Sequence, residues 1–318
     1  MKIIYMGTPD FAVAPLEAIL KAGHEVTAVV TQPDRQKGRG REVQYSPVKE
    51  CALSHGIPVL QPLKIKEKDA VEELRKYPAD IFVVAAFGQL LSEEILNMPR
   101  FGCINIHASL LPAYRGAAPI QWCVINGEEK TGVTIMQMAK GMDTGDILLQ
   151  KEVVLDEKET GGSLFDRLME TGAELIVEAL QRIENGEVTP VLQREELATY
   201  AGKITKDMGN IDFTKAAVTI ERLIRGLNPW PSAFTHYKGK ILKIWEADVV
   251  SECVNAENSV PGTVIAMDKE SFTLATGEGA LRIRSLQPEG KKRMSCAEFM
   301  RGYEVKVGEA LHGSEKRI

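Results

Sequence analysis

The chain has 318 residues, and its 44% hydrophobic content is enough for two domains that each bury a sizeable core. The chain starts directly with a short apolar run and carries no stretch long enough to cross a membrane, which predicts a cytoplasmic protein. Its net charge of −5 argues against a generally basic, nonspecific nucleic-acid binder.

The front half alternates apolar runs with helical patterns, which is typical of βαβ units in a parallel sheet. A helix over residues 9–22 follows the first apolar run and ends at Gly23. The predicted strands are Lys2–Met6, Val26–Thr31, Asp80–Ala86, Gly102–Ile106, Gly132–Met138 and Ile147–Leu155. We therefore predict an α/β fold with a Rossmann-like, mostly parallel sheet.

A long helix, or two, is predicted over residues 160–185, and it is interrupted at Gly172. Beyond residue 210, short β-type runs separated by turn residues are typical of a small β-barrel of the OB type. We predict a catalytic domain over 1–189, a linker over 190–207 and a C-terminal OB-like domain over 208–318.

The positive charge is concentrated in two places. Residues 208–318 carry 16 Lys and Arg against 14 Asp and Glu, a net of +2 that leaves −7 for residues 1–207. Within that acidic front portion, four cations fall in the seven positions of loop 35–41, namely Arg35, Lys37, Arg39 and Arg41. Such a loop either contacts phosphates or is an ordinary solvated surface loop.

Asn105, His107 and Ser109 alternate where an apolar run breaks into a Pro/Gly turn. If this run is a central parallel strand, its carboxyl end opens onto the crevice where ligands bind in open α/β sheets. The alternative is that Asn105 and His107 bond only to the local backbone. Asp143, in a turn with Thr144 and Gly145, is either a turn residue or the carboxylate that orients an imidazole.

Other site types find little support. The five cysteines are odd in number and without CxxC spacing, so we expect reduced thiols, no disulfide framework and no metal site. Ser109 lacks a G-x-S-x-G elbow, and Gly7–Asp10 lacks G-x-G-x-x-G, which disfavours a serine hydrolase and a dinucleotide enzyme. The run Ala85–Leu91 follows another strand and either lines a pocket for a flat heterocycle or is ordinary core.

With these residues the chain resembles the folate-dependent formyltransferases, and in particular the branch that acts on charged initiator tRNA. The Asn-x-His-x-Ser-Leu-Leu-Pro and Asp-Thr-Gly motifs are shared across the whole family, so they indicate the chemistry and not the acceptor. The matching segments span nearly the whole chain: Gly7–Phe11, Gln32–Arg35, Gly38–Gly40, Asn105–Gly116, Gly116–Gln121, Gly132–Met138, Asp143–Asp146, Asn228–Pro231 and Ser285–Pro288.

The resemblance implies formyl transfer from 10-formyltetrahydrofolate to the amino group of methionyl initiator tRNA. A two-domain RNA enzyme of this size can work as a monomer, which we expect here, and the lack of ligand spacing predicts no metal. By family analogy Asn105, His107 and Asp143 are catalytic. Two segments would contact the folate, and they comprise Ser109, Leu110, Leu111 and Pro112 in one and Phe87, Gly88, Gln89 and Leu90 in the other. Two basic clusters would contact tRNA, namely Arg35, Lys37, Arg39 and Arg41 in the first and Lys291, Lys292 and Arg293 in the second.

Three rival functions follow from the same residues. A formyltransferase for a small amine would need the catalytic segment but neither basic cluster. A hydrolase would use the same groups to activate water and deformylate the folate. An RNA-binding module with an inactive front domain would have no reason to keep Asn105, His107 and Asp143 together.

Overall fold

The computed structural model describes residues 1–37, 42–250 and 259–311, without the side chains of residues 35–37, 42 and 43. In chain order the strands are β1 (Lys2–Gly7), β2 (Glu25–Val30), β3 (Arg35–Lys37), β4 (Glu42–Gln44), β5 (Val59–Leu60), β6 (Ile81–Ala85), β7 (Cys103–His107), β8 (Arg115–Gly116), β9 (Lys130–Gln137), β10 (Ile147–Val154), β11 (Tyr200–Ala201), β12 (Ala233–Tyr237), β13 (Lys240–Val250), β14 (Val264–Met267), β15 (Phe272–Ala275), β16 (Ala280–Pro288) and β17 (Met294–Ser295). The α-helices are α1 (Val13–Lys21), α2 (Pro47–Ser54), α3 (Lys68–Leu74), α4 (Glu93–Leu96), α5 (Pro119–Asn126), α6 (Gly161–Asn185), α7 (Ala217–Gly226) and α8 (Cys296–Gly302).

The first sheet has the strand order β10-β9-β7-β6-β1-β2-β5. The pairs from β7 through β6, β1 and β2 to β5 are parallel, whereas β9 and β10 run antiparallel at one edge. Strand β6 (Ile81–Ala85) is buried along its whole length, as expected for a parallel strand covered on both faces. The predicted Rossmann-like, mostly parallel sheet is confirmed.

The second sheet is antiparallel, with the order β12-β13-β16-β15-β14 and β17 paired to β16. Strand β12 and much of β13 alternate buried with more exposed residues, as strands with one face on a core do, whereas β15 is buried along its whole length. That core is an apolar cluster that includes Phe272, Leu281 and Phe299. The predicted OB-like C-terminal domain is confirmed as a fold class.

The chain folds into two compact units, and each unit is built from three separate stretches of sequence. The first comprises Met1–Pro119, Lys130–Leu155 and Phe165–Ala201, and the second comprises Ile120–Glu129, Asp156–Leu164 and the chain from Gly202 onward. Much of the predicted linker belongs to the first unit, because β11 pairs with β8 and Val191 exchanges two backbone hydrogen bonds with Ile147. The limits 1–189, 190–207 and 208–318 stay a prediction.

The structure resolves two details that the sequence left open. One continuous helix, α6, covers 161–185 of the predicted range 160–185, and the interruption expected at Gly172 does not occur. A Cβ at Gly172 would lie 3.0 Å from the Ile106 side chain, so glycine here allows α6 to pack closely on β7. The predicted helix over 9–22 starts instead as a 3₁₀ turn, Asp10–Ala12, before α1.

No helix in the described ranges combines the length and the apolar content that a membrane span requires.

Candidate active site

Strand β7 places Asn105 and His107 on one face of the sheet, because side chains two residues apart on a strand point the same way. His107 is the last residue of β7, and Asn105 pairs with Val84 on β6 and Met136 on β9. His107 is buried and Asn105 is half-buried. No described residue hydrogen-bonds the Asn105 side-chain amide, so this group remains available to a ligand.

The His107 imidazole is oriented by the backbone. Its Nε2 lies 3.0 Å from the carbonyl oxygen of Tyr114. A carbonyl oxygen can only accept a hydrogen bond, so Nε2 carries a proton. The other nitrogen, Nδ1, lies 3.8 Å from Oδ2 of Asp143, close enough for charge interaction but too long for a direct hydrogen bond.

Asp143 lies in the turn between β9 and β10, with a φ of +53°. Non-glycine residues rarely adopt this left-handed conformation, so the surrounding contacts must hold it. Its carboxylate oxygen Oδ2 accepts a hydrogen bond from the backbone N–H of Gly116, at 2.8 Å. Its backbone carbonyl accepts another from the Gln193 amide, also at 2.8 Å.

Three consecutive residues, 114–116, therefore organise the site. Tyr114 holds His107 through its carbonyl, Gly116 holds Asp143 through its N–H, and the Arg115 guanidinium donates from Nε to Gln193 Oε1 at 3.1 Å. Gly116 has a φ of +117°, and a Cβ there would lie 2.7 Å from the Ala201 carbonyl oxygen, so only glycine fits. The sequence motifs include residues 114–116, but they predicted no role for Arg115 and none for Gln193.

The second group of residues that the sequence missed holds the 109–112 loop. The Thr134 hydroxyl donates to the Ser109 carbonyl at 2.6 Å and accepts from the Leu111 N–H at 3.1 Å. The Gln150 amide donates both to that hydroxyl and to the Leu111 carbonyl, each at 2.9 Å. Thr134 is fully buried, and its apolar neighbours on β9 gave no signal of this role.

Among the predicted folate contacts in this loop, Ser109 and Leu111 are buried, whereas Leu110 and Pro112 are partly exposed. The Ser109 hydroxyl donates to the Ala113 carbonyl at 2.6 Å, so it already closes the turn. This loop can therefore offer a ligand an apolar wall more readily than it can offer the serine hydroxyl.

The other predicted folate segment, 87–90, follows β6, the parallel neighbour of β7. It therefore lies at the carboxyl ends of these strands, as Asn105 and His107 do. Phe87 is buried, and its carbonyl accepts hydrogen bonds from Gln32 and Thr8. The Gln89 side chain bonds the backbone at Ile65 and Pro62. Gly88, with φ +83°, and Leu90, which is 70% exposed, are the accessible members.

The structure describes the predicted tRNA contacts only in part. Arg35 and Lys37 lie in β3, which pairs with β4, whereas Arg39 and Arg41 lie outside the described residues. Lys291, Lys292 and Arg293 are exposed after β16. Arg293 donates to Ser285 and forms an ion pair with Glu246, so the two lysines are the cations that the described part of the chain leaves unpaired in this cluster.

A cavity of about 650 Å³ lies at the other end of β7, beside its amino terminus. Its walls include Phe101, Gly102, Met138 and Lys140, but none of Asn105, His107 and Asp143. Ligands in open α/β sheets bind at the carboxyl ends of the strands, so we locate the site at the polar group and not at this cavity.

The described residues bring together one set of possible metal ligands, Glu17, Cys51 and His55, within 4.8 Å. The Cys51 thiol donates to Glu17, and burial together with that carboxylate raises the pKa of Cys51 to about 12. A protonated thiol is a poor ligand. The set is explained as a hydrogen-bonded contact between α1 and α2.

The chain matches two family models, "Formyl transferase" over residues 1–180 and "Formyl transferase, C-terminal domain" over residues 203–304. A methionyl-tRNA formyltransferase of Lachnospira eligens is 56% identical over 314 residues, which cover 98% of this chain and 99% of that protein.

Among solved structures, the sugar 3N-formyl transferase WlaRD, determined in the presence of dTDP and 5-N-formyl-THF, aligns with a TM-score of 0.66. It is 21% identical, and the match covers 92% of this chain and 99% of WlaRD. HypX from Aquifex aeolicus, solved with tetrahydrofolic acid, aligns with a TM-score of 0.63 at 18% identity, over 94% of this chain and only 47% of HypX. Both matches indicate a shared fold. The family models and the 56% identical relative together show that this chain belongs to the formyl transferase family, in its methionyl-tRNA formyltransferase branch.

Proposed function

We propose that this chain transfers the formyl group of 10-formyltetrahydrofolate to the amino group of methionyl initiator tRNA, with Asn105, His107 and Asp143 as its catalytic residues. The main support for assigning these residues is that they lie close together at the carboxyl end of β7. Two hydrogen-bond donors and one carboxylate meet there, and the segment 114–116 holds both His107 and Asp143. The acceptor is assigned from the relatives that match almost the whole chain.

The reaction forms one carbon–nitrogen bond and breaks another. The neutral amine attacks the formyl carbon, and the carbonyl π electrons move to oxygen and give a tetrahedral intermediate. The attacking nitrogen then loses a proton. As the electron pair on oxygen re-forms the carbonyl, the bond to the folate nitrogen breaks, and that nitrogen gains a proton as it leaves. The charge that catalysis must stabilise is therefore the negative charge on the former formyl oxygen.

Asn105 and His107 are the donors that face this charge. The Asn105 amide is available, and the Nε2 proton of His107 is committed to Tyr114, so Nδ1 is the position from which an imidazolium donates. Each well-placed donor of this kind is worth about 3 kcal/mol in the transition state.

Asp143 places a negative charge beside the imidazole. Its carboxylate lies 3.8 Å from Nδ1, so it attracts the cation without taking the Nδ1 proton in a direct hydrogen bond. That proton stays available to the developing oxyanion. The same carboxylate is the nearby group that would accept the proton from the attacking nitrogen, directly or through a water.

For the folate we propose a position between the 87–90 and 109–112 segments. The backbone around Gly88 and the exposed Leu90 side chain provide amide groups and an apolar surface, and Leu110 and Pro112 provide a second apolar wall. A flat, amide-like pterin suits such a cleft. Ser109 and Leu111 then act by holding the loop in shape.

For tRNA we propose phosphate contacts in each unit: Arg35, Lys37, Arg39 and Arg41 in the first, and Lys291, Lys292 and Arg293 in the second. We also propose that the protein works as a cytoplasmic monomer. Sedimentation equilibrium of the free protein at micromolar concentration tests the monomer, and a stable dimer would contradict it.

The acceptor is tested by supplying purified protein with 10-formyltetrahydrofolate and one of three acceptors. Formylation of methionyl initiator tRNA is expected, with little or no product from a small amine such as an amino sugar or glycinamide ribonucleotide, or from water. Formyl transfer to the small amine instead would assign the chain to that substrate class. Release of formate without an acceptor would indicate a hydrolase, and no turnover with any acceptor would indicate an RNA-binding module.

The basic loop is tested by Arg39→Ala. We expect a higher KM for methionyl-tRNA and a weaker dependence of KM on salt, by about one unit of log–log slope, since each phosphate contact releases counterions. The KM for 10-formyltetrahydrofolate should not change. Lys21→Ala, at the exposed end of α1, is the matched control. A lower folate affinity with unchanged tRNA kinetics would contradict the assignment.

A further inference from the structure

We propose that Arg115 and Gln193 are positioning residues that hold the Asp143 turn in its catalytic geometry. This inference rests on the proposed function, because both side chains act through Asp143. Neither residue needs to touch a substrate, since each makes its contacts within the protein.

Gln193 clamps the turn from outside. Its amide nitrogen donates to two carbonyls of the same turn, that of Asp143 at 2.8 Å and that of Gly145 at 2.6 Å. One of these bonds is made to Asp143, the residue whose φ is +53°, where an L-residue needs support from its surroundings. Without these two bonds, the backbone of the turn would be held less firmly, and so would the Asp143 carboxylate that it carries.

Arg115 helps to fix the direction in which the Gln193 amide faces. A guanidinium has only donors, so the Nε–H at 3.1 Å must meet the amide oxygen, and this leaves the amide nitrogen toward the turn. The reversed amide would place its oxygen against two carbonyl oxygens. The guanidinium and the two turn carbonyls therefore favour the same orientation of the amide.

The Arg115 guanidinium is buried at a cost in free energy. The side chain is 1% exposed, and Nη2 has no hydrogen-bond partner among the described residues. Its Nη1 pairs with Glu195, a residue that is 71% exposed. An apolar side chain would fill this position without burying an unsatisfied donor. What an apolar side chain would lack is the hydrogen bond to Gln193, through which the guanidinium reaches the Asp143 turn.

The neighbours of Arg115 extend its effect to the imidazole. The Tyr114 carbonyl orients His107, and the Gly116 N–H holds the Asp143 carboxylate. A shift of this short segment would therefore change the 3.8 Å separation between Nδ1 and Oδ2 from both sides. Losing a positioning contact of this kind costs turnover rather than binding.

The first test is Gln193→Leu, which keeps the approximate volume and removes both donors. We expect kcat to fall about a hundredfold, with the KM values for folate and methionyl-tRNA changed by about twofold or less. Gln181→Leu, on the exposed face of α6, is the matched control and should keep wild-type kinetics. An unchanged kcat in Gln193→Leu would overturn the proposal, as would a loss confined to KM.

The second test asks whether Gln193 acts through Asp143. In the double variant with Asp143→Ala, Gln193→Leu should lower kcat by about twofold or less, because the group that it positions is gone. A full additional hundredfold loss would overturn the positioning role. If Asp143→Ala itself keeps wild-type turnover, the catalytic assignment fails instead, so the two failures are distinguishable.

The third test uses chemical rescue. Arg115→Ala should lose turnover, and added guanidinium chloride at a concentration that leaves the wild type active should restore part of kcat. Arg115→Lys should not restore it, because an ammonium cannot donate to Gln193 and Glu195 in the same fork. If the Arg115 variants do not fold, Gln193→Leu decides the question alone.

Discussion

Replacing His107 by alanine is expected to lower kcat for methionyl-tRNA formylation by about a thousandfold. The imidazolium would be lost as a donor to the oxyanion, and removal of one such donor costs about 10²–10³ in rate. The KM values should change little, because the charge that His107 meets develops only in the transition state. Single-turnover kinetics, with the folded fraction checked by circular dichroism, measures the effect.

His55→Ala provides the matched control for this result. His55 lies at the end of α2, pairs with Glu17 and has no contact with the proposed site. Its replacement should leave kcat within about twofold of the wild type, as expected for a surface substitution. Normal turnover in His107→Ala would eliminate the mechanism proposed here, whatever the control shows.

Replacing Asp143 is expected to lower kcat by about 10²–10³, and the choice of substitute separates two roles. Asp143→Asn keeps an oxygen that can accept from the Gly116 N–H, but it removes the negative charge that lies beside the imidazole. Asp143→Ala removes both. If the charge is what matters, the two variants should be about equally slow, in a comparison of kcat values at the same pH.

Asp146→Asn is the control for Asp143, since Asp146 lies three residues further along the same turn and its side chain makes no contact with His107 among the described residues. It should behave like the wild type. Wild-type activity in Asp143→Asn together with a slow Asp143→Ala would show that the carboxylate only holds the loop.

The segment formed by residues 114–116 links these expectations. It holds His107 by a carbonyl and Asp143 by an N–H, so the two catalytic groups share one support. Changes at Gly116 should therefore affect both groups at once, whereas changes at Gln193 should reach the pair through Asp143.

The sequence by itself determined the fold class and the segments that carry the chemistry. Apolar runs such as Ile81–Ala85 and turn residues such as Gly23 are local signals, and local signals suffice to predict a parallel sheet followed by an antiparallel β domain. The alternation of Asn105 and His107 on one strand is local too. The resemblance to a known family then chose the catalytic alternative for Asp143 and supplied the acceptor.

Local patterns did not reveal the contacts that make these residues a site. Gln193 lies 50 residues from Asp143 and 78 from Arg115, and it falls in a stretch whose composition predicts a linker. Thr134, 25 residues from Ser109, has the composition of an ordinary strand residue. Hydrogen bonds between positions so far apart leave no periodic trace in the chain, because they depend on which backbone groups the fold brings within 3 Å of one another.

The sequence therefore determined which functional groups this protein has, whereas the tertiary structure decided how they are oriented. The protonated nitrogen of His107, the left-handed backbone of Asp143 and the direction of the Gln193 amide all follow from partners supplied by other parts of the chain. The physical reason is that a side chain's chemistry is covalent and local, while its protonation and direction are set by the donors and acceptors packed around it.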